Sequence, residues 1–336
     1  MTDNRQCKLI ARPQGQAKRG DFAFETAPAE RPGEGEVLVK VLYLSLDPAM
    51  RGWMNEGKSY IPPVQLGEVM RAGGVGVVVE SGDPGFAPGD HVVGMTGVQE
   101  YARLPVKGLN KVDPRFAPLP TYLGALGMPG LTAYFGILEV GALKDGETVV
   151  VSGATGAVGQ VVGQIARIKN CRVIGIAGGP DKCRAAVEEF GYDACVDYKS
   201  EDVRLKLREH CPKGIDVYFD NVGGEILDAA LANLARGARV PICGAISQYN
   251  NTGPMRGPAN YMSLLVNRAR MEGFVVFDFA ARYGEAIQAM AGWVAQGRLK
   301  HREDIEEGGV DAFPEVLNKL FTGENFGKLV LKVAEA

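Results

Sequence analysis

ETVVVSGATGAVGQVVGQIARIKNCRVIGIAGG, residues 147–179, is the stretch that decides the fold. An apolar run, TVVVSG, passes into three glycines spaced by three (Gly153, Gly156, Gly159). A helical stretch, VGQVVGQIARIKN, follows without a break, and then a second apolar run, RVIGIAGG. Strand, glycine turn, helix and strand make one βαβ unit. The alternation continues through DKCRAAVEEFG, IDVYFDNVGG, EILDAALANLA and ARVPICGA. Strands alternating with helices predict an α/β fold built on a parallel sheet. The strands are apolar nearly throughout, as helices on both faces require.

The glycines indicate what the sheet holds. A glycine turn between strand and helix allows a tight reversal, lets a phosphate approach the backbone, and aims free N–H groups at it. The positive end of the helix macrodipole adds to the attraction, so a pyrophosphate is the natural guest. Gly153-x-x-Gly156-x-x-Gly159 is a variant of the dinucleotide fingerprint, set in the strand–turn–helix context that the mechanism needs, and it predicts a Rossmann-type, doubly wound sheet. No Gly-Lys-Ser/Thr follows, which sets aside a Walker A loop. The second strand selects the dinucleotide. An NAD site usually ends that strand with an acid for the ribose diol. Here it ends in Ala177-Gly178-Gly179, and Asp181 comes late, beside Lys182, where Pro180-Asp181 equally opens the next helix. A missing acid with a lysine just beyond favours a 2′-phosphate, hence NADPH. On spacing alone, Lys182 also reads as a solvated helix residue.

The first 125 residues are written differently. EVLVKVLYLSL (36–46) and GVGVVVES (74–81) are rich in β-branched residues and are punctuated by RPGEGE (31–36) and SGDPGFAPGD (81–90). Short strands at this spacing predict a small barrel or sandwich. After the polar loop HREDIEEGG (301–309), the apolar strand GKLVLKV (327–333) closes the chain. The expected domains are 1–125 completed by 303–336, and 126–302. A length of 336 residues suits two such domains, and a net charge of −3 excludes a broad cationic surface for nucleic acid or anionic membrane. The N-terminus lacks a signal-like apolar core, and no apolar run is long enough to span a bilayer. Cys7, Cys171, Cys183, Cys195, Cys211 and Cys243 are scattered with no C-x-x-C pair. They read as small hydrophobes in a reducing cytoplasm, without disulfides.

Nearly the whole chain resembles the zinc-free branch of the medium-chain dehydrogenase/reductase superfamily. The likeness is to the prostaglandin reductase, leukotriene B4 dehydrogenase and alkenal double-bond reductase group, with its bacterial curcumin reductase-like members. It is carried by LYLSLDPAMRGWM (42–54), GMPGLTAYFG (127–136), SGATGAVGQVVGQIA (152–166), GGPDKC (178–183), YFDNVGGE (218–225), CGAISQYNNTGP (243–254), MEGFVVFDF (271–279) and NFGKLVL (325–331). The resemblance implies a GroES-like β-barrel domain joined to the Rossmann domain, with NADPH as cofactor. It places Thr155, Gly156, Ala157, Val158 and Gly159 at the pyrophosphate, and Lys182 and Tyr198 at the 2′-phosphate. Asn221 would face the cofactor. Cys243, Gly244, Ala245, Ile246, Ser247, Gln248 and Tyr249, with Phe274, Val275 and Val276, would line the nicotinamide half, and Asn325 would reach in from the closing strand. Taken singly, Tyr198 and Asn221 also read as ordinary strand-end polar groups.

Zinc-dependent relatives carry a Gly-His-Glu ligand motif where this sequence has Gly67-Glu68 and no histidine. His91, His210 and His301 are far apart and have no cysteine partners at ligand spacing, so no catalytic metal is expected. Without a Lewis acid, hydride addition to the β-carbon of an α,β-unsaturated carbonyl remains accessible. It needs position and a donor at the carbonyl oxygen. The resemblance offers Tyr249 as that donor, ahead of a Gly/Pro-rich lid (250–258); the alternative is an aromatic packing on the cofactor. Several relatives have tyrosine in a D-P-Y-M-R motif where this chain has Ala49, and Tyr60 is the substitute expected on the substrate side. The expected function is NADPH-dependent reduction of enals and enones. The alternatives are a quinone reductase and a cofactor-binding sensor with little catalysis. The apolar segment MEGFVVFDF reads as a strand toward a sheet edge that needs cover, which suits a homodimer.

Overall fold

The computed structural model describes residues 2–335. The chain divides into two compact units, Met1–Gly124 with Glu303–Ala336, and Ala125–Arg302. In the first, β1 (Asp3–Leu9) and β2 (Phe22–Pro28) form an antiparallel pair. They are followed by β3 (Glu36–Ser45), β4 (Gly73–Ser81), β5 (His91–Met95), β6 (Tyr101–Pro105) and β7 (Asn110–Lys111).

The second unit is wound on β8 (Thr148–Ser152), β9 (Arg172–Ala177), β10 (Ala194–Asp197), β11 (Ile215–Phe219), β12 (Leu234–Ile242) and β13 (Arg270–Gly273). All pairings are parallel and the order is β10-β9-β8-β11-β12-β13. The chain starts in the middle, winds outward to β10, then crosses back over β8 to continue on the other side. That reversal, between β8 and β11, is the switch point of a doubly wound sheet, where the strand ends leave a crevice for a ligand. β8 is buried from Val149 to Ser152, because the sheet is covered on both faces. Val150, Ile174, Val196 and Tyr218 meet Leu227, Leu231 and Leu207 from the helices Gly224–Leu231 and Val203–His210 in one core.

The chain then returns to the first unit with β14 (Glu303–Glu306) and β15 (Lys328–Lys332). The larger sheet there runs β14-β15-β3-β4-β5-β7, with β6 also on β3. β3 organises it. One edge pairs with β4; the other is shared, Glu36–Lys40 pairing with β6 and Tyr43–Ser45 with β15. Phe313 and Leu317 of the helix Phe313–Thr322 fill the core with Leu44, Leu46, Met50 and Leu329.

Two segments differ from their sequence reading. HREDIEEGG is not all loop: Glu303–Glu306 pairs in parallel with β15 at the sheet edge, where charged residues suit a strand with one open side. MEGFVVFDF is strand only to Gly273. Phe274 then packs edge-on to Phe219, with ring centroids 6.2 Å apart, and a 3₁₀ segment, Val276–Arg282, carries Phe279 onto the ring of Phe135 at 4.7 Å. Phe274, Val276 and Phe279 thus pack at the end of the strand, while Met271 and Phe277 stay exposed. β13 itself is exposed at all its positions.

Candidate cofactor-binding edge

The six strands of the second unit are parallel, so the segments that leave their C-terminal ends leave from one edge of the sheet. The glycine turn follows β8, Lys182 follows β9, Tyr198 follows β10, Asn221 follows β11, Cys243–Tyr249 follows β12, and Phe274–Val276 follows β13. Topology thereby brings together sequence-predicted residues spread over more than a hundred positions.

At the turn, Gly153 adopts φ +62° and its carbonyl accepts the Gly156 N–H at 2.9 Å. The same carbonyl lies so close to Gly159 that a Cβ there would stand 2.1 Å from it, whereas a Cβ on Gly156 would stand 3.3 Å away. Thr155, Ala157 and Val158 complete this turn. They precede the helix Gly159–Ile168. Backbone N–H groups at a helix N-terminus, with glycines where a side chain would crowd the turn, are what a pyrophosphate needs, and the residues fit the group.

The β11 end is held by a buried network that sequence reasoning missed. Asp220 is only 1% exposed. Its Oδ1 accepts from the Tyr218 hydroxyl at 2.9 Å, the Ser152 hydroxyl at 3.1 Å, and the N–H groups of Val222 and Gly223 at 3.0 and 2.9 Å. Burial pushes this carboxyl above its usual range, against the pull of those donors. Ser152 also receives the Asn221 N–H at 2.9 Å, and its carbonyl receives Asn221 Nδ2 at 2.7 Å. Asn221 is therefore oriented by the end of the neighbouring strand β8, at the switch point itself. The Asp220 carbonyl accepts the N–H groups of Cys243 and Gly244 at 2.9 and 3.1 Å, and Ser247 Oγ donates to the Val222 carbonyl at 2.6 Å. The CGAISQY segment is thus clamped to residues 220–222. The Tyr249 hydroxyl receives the Ala245 N–H at 3.1 Å, which folds this tyrosine back over its own turn. Burial, with the Asp220 carboxylate, pushes the Cys243 thiol up to about 12.

Asp197 plays a comparable part beyond β9 and β10. Its Oδ1 accepts the N–H groups of Gly179 and Lys199 at 2.7 and 3.0 Å, and its Oδ2 accepts Ser200 Oγ at 2.8 Å. Burial alone would raise its carboxyl, but these donors outweigh it and hold the group below the usual range. The phenol of Tyr198 lies over Gly178: a Cβ there would be 2.8 Å from its oxygen. The turn carrying Lys182 and the turn carrying Tyr198 are therefore fastened to each other. An aspartate at a strand end is a common turn residue, so neither Asp197 nor Asp220 stood out by pattern.

Tyr60 and Asn325 belong to the first unit. The Tyr60 hydroxyl receives Trp53 Nε1 at 3.3 Å, and Asn325 Nδ2 donates to the Gly327 carbonyl at 3.2 Å. The Asp47-Pro48-Ala49-Met50-Arg51 motif is a local scaffold. Buried Lys328 donates to the Leu46 carbonyl and to Asp47 at 2.7 and 2.8 Å, and buried Arg51 donates to the carbonyls of Gly15 and Pro13 at 2.8 and 2.9 Å. Among the described residues, no three His, Cys, Asp or Glu side chains gather as a metal-ligand set.

Comparison with known proteins accords with this geometry. Residues 5–112 match the family model for the N-terminal domain of oxidoreductases, and residues 157–292 match the model named zinc-binding dehydrogenase. The chain is 44% identical to the NADPH-dependent curcumin reductase of Escherichia coli, covering 98% of this chain and 97% of the relative. The chain belongs to the zinc-free branch of the medium-chain dehydrogenase/reductase superfamily. Within that branch it is also 44% identical to the NADP⁺-dependent 2-alkenal reductase of Nicotiana tabacum, over 90% of this chain and 88% of the relative. The fold of this branch is seen in the crystal structure of CurA from Vibrio vulnificus in complex with NADPH. That structure superposes with a TM-score of 0.93 at 43% identity, covering 99% of this chain and 100% of that one. The Gly67-Glu68 position of this chain carries no histidine.

Proposed function

We propose that this protein reduces the carbon–carbon double bond of α,β-unsaturated aldehydes and ketones with NADPH, by a zinc-independent route. The observation that carries the reading is the C-terminal edge of the parallel sheet. A glycine-rich turn follows the strand at the switch point there, and the 2′-phosphate candidates Lys182 and Tyr198 follow the two strands beyond it. Relatives at 44% identity, named for NADPH-dependent reduction of curcumin and of 2-alkenals, support the reaction class.

When bound, NADPH supplies the hydride that adds to the β-carbon of the conjugated substrate. Thr155 to Gly159 would hold the pyrophosphate, and Lys182 and Tyr198 the 2′-phosphate. Asn221, held by Ser152, and the Cys243–Tyr249 segment, held by residues 220–222, give the nicotinamide side a fixed wall. Phe274, Val275 and Val276 extend that wall, and Asn325 completes the set of proposed cofactor residues. Tyr249 donates a hydrogen bond to the carbonyl oxygen as negative charge collects there; such a donor is worth about 2.7–4 kcal/mol. Tyr60 is the proposed substrate-side aromatic.

The protein is further proposed to work as a homodimer in the cytoplasm. β13 is an open edge, and Leu265, Val266 and Tyr261, just before it, are 70%, 63% and 59% exposed. Apolar side chains beside a strand with one open side suit a self-association face. Among the described residues, no helix is long and apolar enough to cross a membrane.

The test is NADPH oxidation across a panel of enals, enones and quinones, with and without a chelator. Chelator-resistant turnover of the enals or enones is expected. Quinone turnover equal to or better than that of a trans-2-enone would overturn the assignment. Light scattering on the purified protein tests the dimer.

A further inference from the structure

Cys183 and Cys195 are separated by twelve residues, yet their sulfurs lie 2.8 Å apart. Cys183 stands in the first turn of the helix Pro180–Glu188, and Cys195 on β10, against which that helix packs. Both are half-buried, so a small oxidant can reach them. Among the described residues, the other four thiols have no sulfur partner. Cys7, Cys171 and Cys211 are buried, and half-buried Cys243 is bounded by the Asp220 turn.

We propose that Cys183 and Cys195 form a modification site, a dithiol that a hydroperoxide oxidises to an internal disulfide. A disulfide sets its sulfurs about 2.05 Å apart, so closure asks for roughly 0.8 Å of approach. The order of events follows from the hydrogen bond. Cys195 donates its S–H to the Cys183 sulfur, which draws the Cys183 thiol below its ordinary value. Burial holds Cys7, Cys171 and Cys211 above theirs. The Cys183 thiolate attacks one oxygen of the hydroperoxide. The O–O bond breaks, the other oxygen leaves and takes up a proton as alcohol or water, and Cys183 becomes a sulfenic acid. The Cys195 sulfur, giving up its proton, attacks that sulfenic sulfur; the S–S bond forms, the S–O bond breaks and water leaves. Two thiols and one hydroperoxide thus give one disulfide, one alcohol or water, and one water.

The consequence for cofactor binding rests on the proposed function. Closing the bond draws the helix turn that carries Lys182 toward the strand that leads into Tyr198. These are the two residues assigned to the 2′-phosphate, and NADPH affinity then depends on the state of the pair.

The test treats the fully reduced, full-length protein with hydrogen peroxide at stoichiometric ratio, alkylates the remaining thiols and maps the peptides. Expected is the loss of two of the six free thiols, a linked peptide pair holding Cys183 and Cys195 within a single chain, and full reversal by dithiothreitol. Cys195→Ser should stop at a sulfenic acid on residue 183 that dimedone traps, and Cys183→Ser should leave Cys195 reduced. Oxidation confined to other cysteines, a link between chains, or a wild-type sulfenic acid that persists would each overturn the site. In a second arm, the Kd for NADPH is expected to differ by about threefold or more between oxidised and reduced protein, with that for NADH unchanged. An unchanged NADPH Kd with the disulfide formed would overturn the link to the cofactor and leave the dithiol standing.

Discussion

Replacing Gly159 by alanine puts a Cβ 2.1 Å from the Gly153 carbonyl oxygen and 2.9 Å from its carbon. Carbon and oxygen atoms that are not covalently bonded settle at about 3.3–3.6 Å, so relief requires roughly 1.2 Å of movement. The neighbour that must move is backbone, and it is the carbonyl on which the turn closes through the Gly156 N–H. No side chain can swing away instead. Overpacking of this kind costs about 1–3 kcal/mol of stability. The larger effect falls on binding, because the displaced carbonyl closes the turn that carries the N–H groups assigned to the pyrophosphate. A misplacement of about 1 Å in a positioned site costs on the order of a hundredfold. Gly159→Ala is therefore expected to raise the Kd for NADPH by about 10- to 100-fold while the protein still folds. Gly156→Ala supplies the internal control. Its Cβ would meet the same oxygen at 3.3 Å, which a few tenths of an ångström relieve, so its Kd should rise no more than about threefold. Fluorescence titration with NADPH, alongside thermal melts, measures both quantities. A Gly159→Ala protein that binds NADPH as the wild type does would refute the cradle, and equal losses in both variants would show that the close approach is not what matters.

Three further outcomes follow from the same edge of the sheet. Lys182→Ala should raise the KM for NADPH and leave that for NADH nearly untouched, since only the former loses a charge-assisted contact to a 2′-phosphate; equal effects in steady-state assays with both cofactors would remove Lys182 from that role. Tyr249→Phe should lower kcat more than it alters NADPH affinity, whereas an unchanged kcat would make its hydroxyl a structural acceptor for Ala245. Asp197→Asn should cost about 1–2 kcal/mol at neutral pH, for weakened hydrogen bonds to a charged acceptor. The folded-state carboxyl of Asp197 is held below its ordinary value of 3.8, so its stabilisation is present above that pH and is lost as the pH falls through the lower folded value. Denaturant melts of wild type and variant should therefore converge on acidification below about 3.8, and a gap that stays constant there would refute the assignment to the carboxylate.

The parts legible in the sequence are those whose physics is local. TVVVSGATGAVG announces its strand, turn and helix because each residue's own conformational demand agrees with its neighbours'. Strands β8, β9 and β11 and the later half of β12 are legible because burial leaves mostly apolar residues in them. What stayed hidden depends on partners distant in the chain. Glu303–Glu306 looks like a loop because an edge strand satisfies only one side of its backbone and is allowed its charges. MEGFVVFDF looks like one long strand because the pattern cannot tell a side chain covered by a sheet from one packed against Gly136, Phe219 or Phe135 after the strand has ended. Asp220 is the sharper case. Alone it is a polar residue after a strand, and its importance exists only because the parallel winding puts the end of β8 beside the end of β11, so that the Ser152 hydroxyl and the N–H groups of Val222 and Gly223 converge on one oxygen. The same winding brings Cys195 under the helix of Cys183, where a spacing of twelve residues gives no warning. The site is thus encoded at two levels. Glycines and apolar runs build the sheet edge, and buried polar residues at strand ends then hold the loops on that edge in register with one another. The cofactor contacts proposed for the second unit come from six separate segments, and such a grip needs the second level as much as the first.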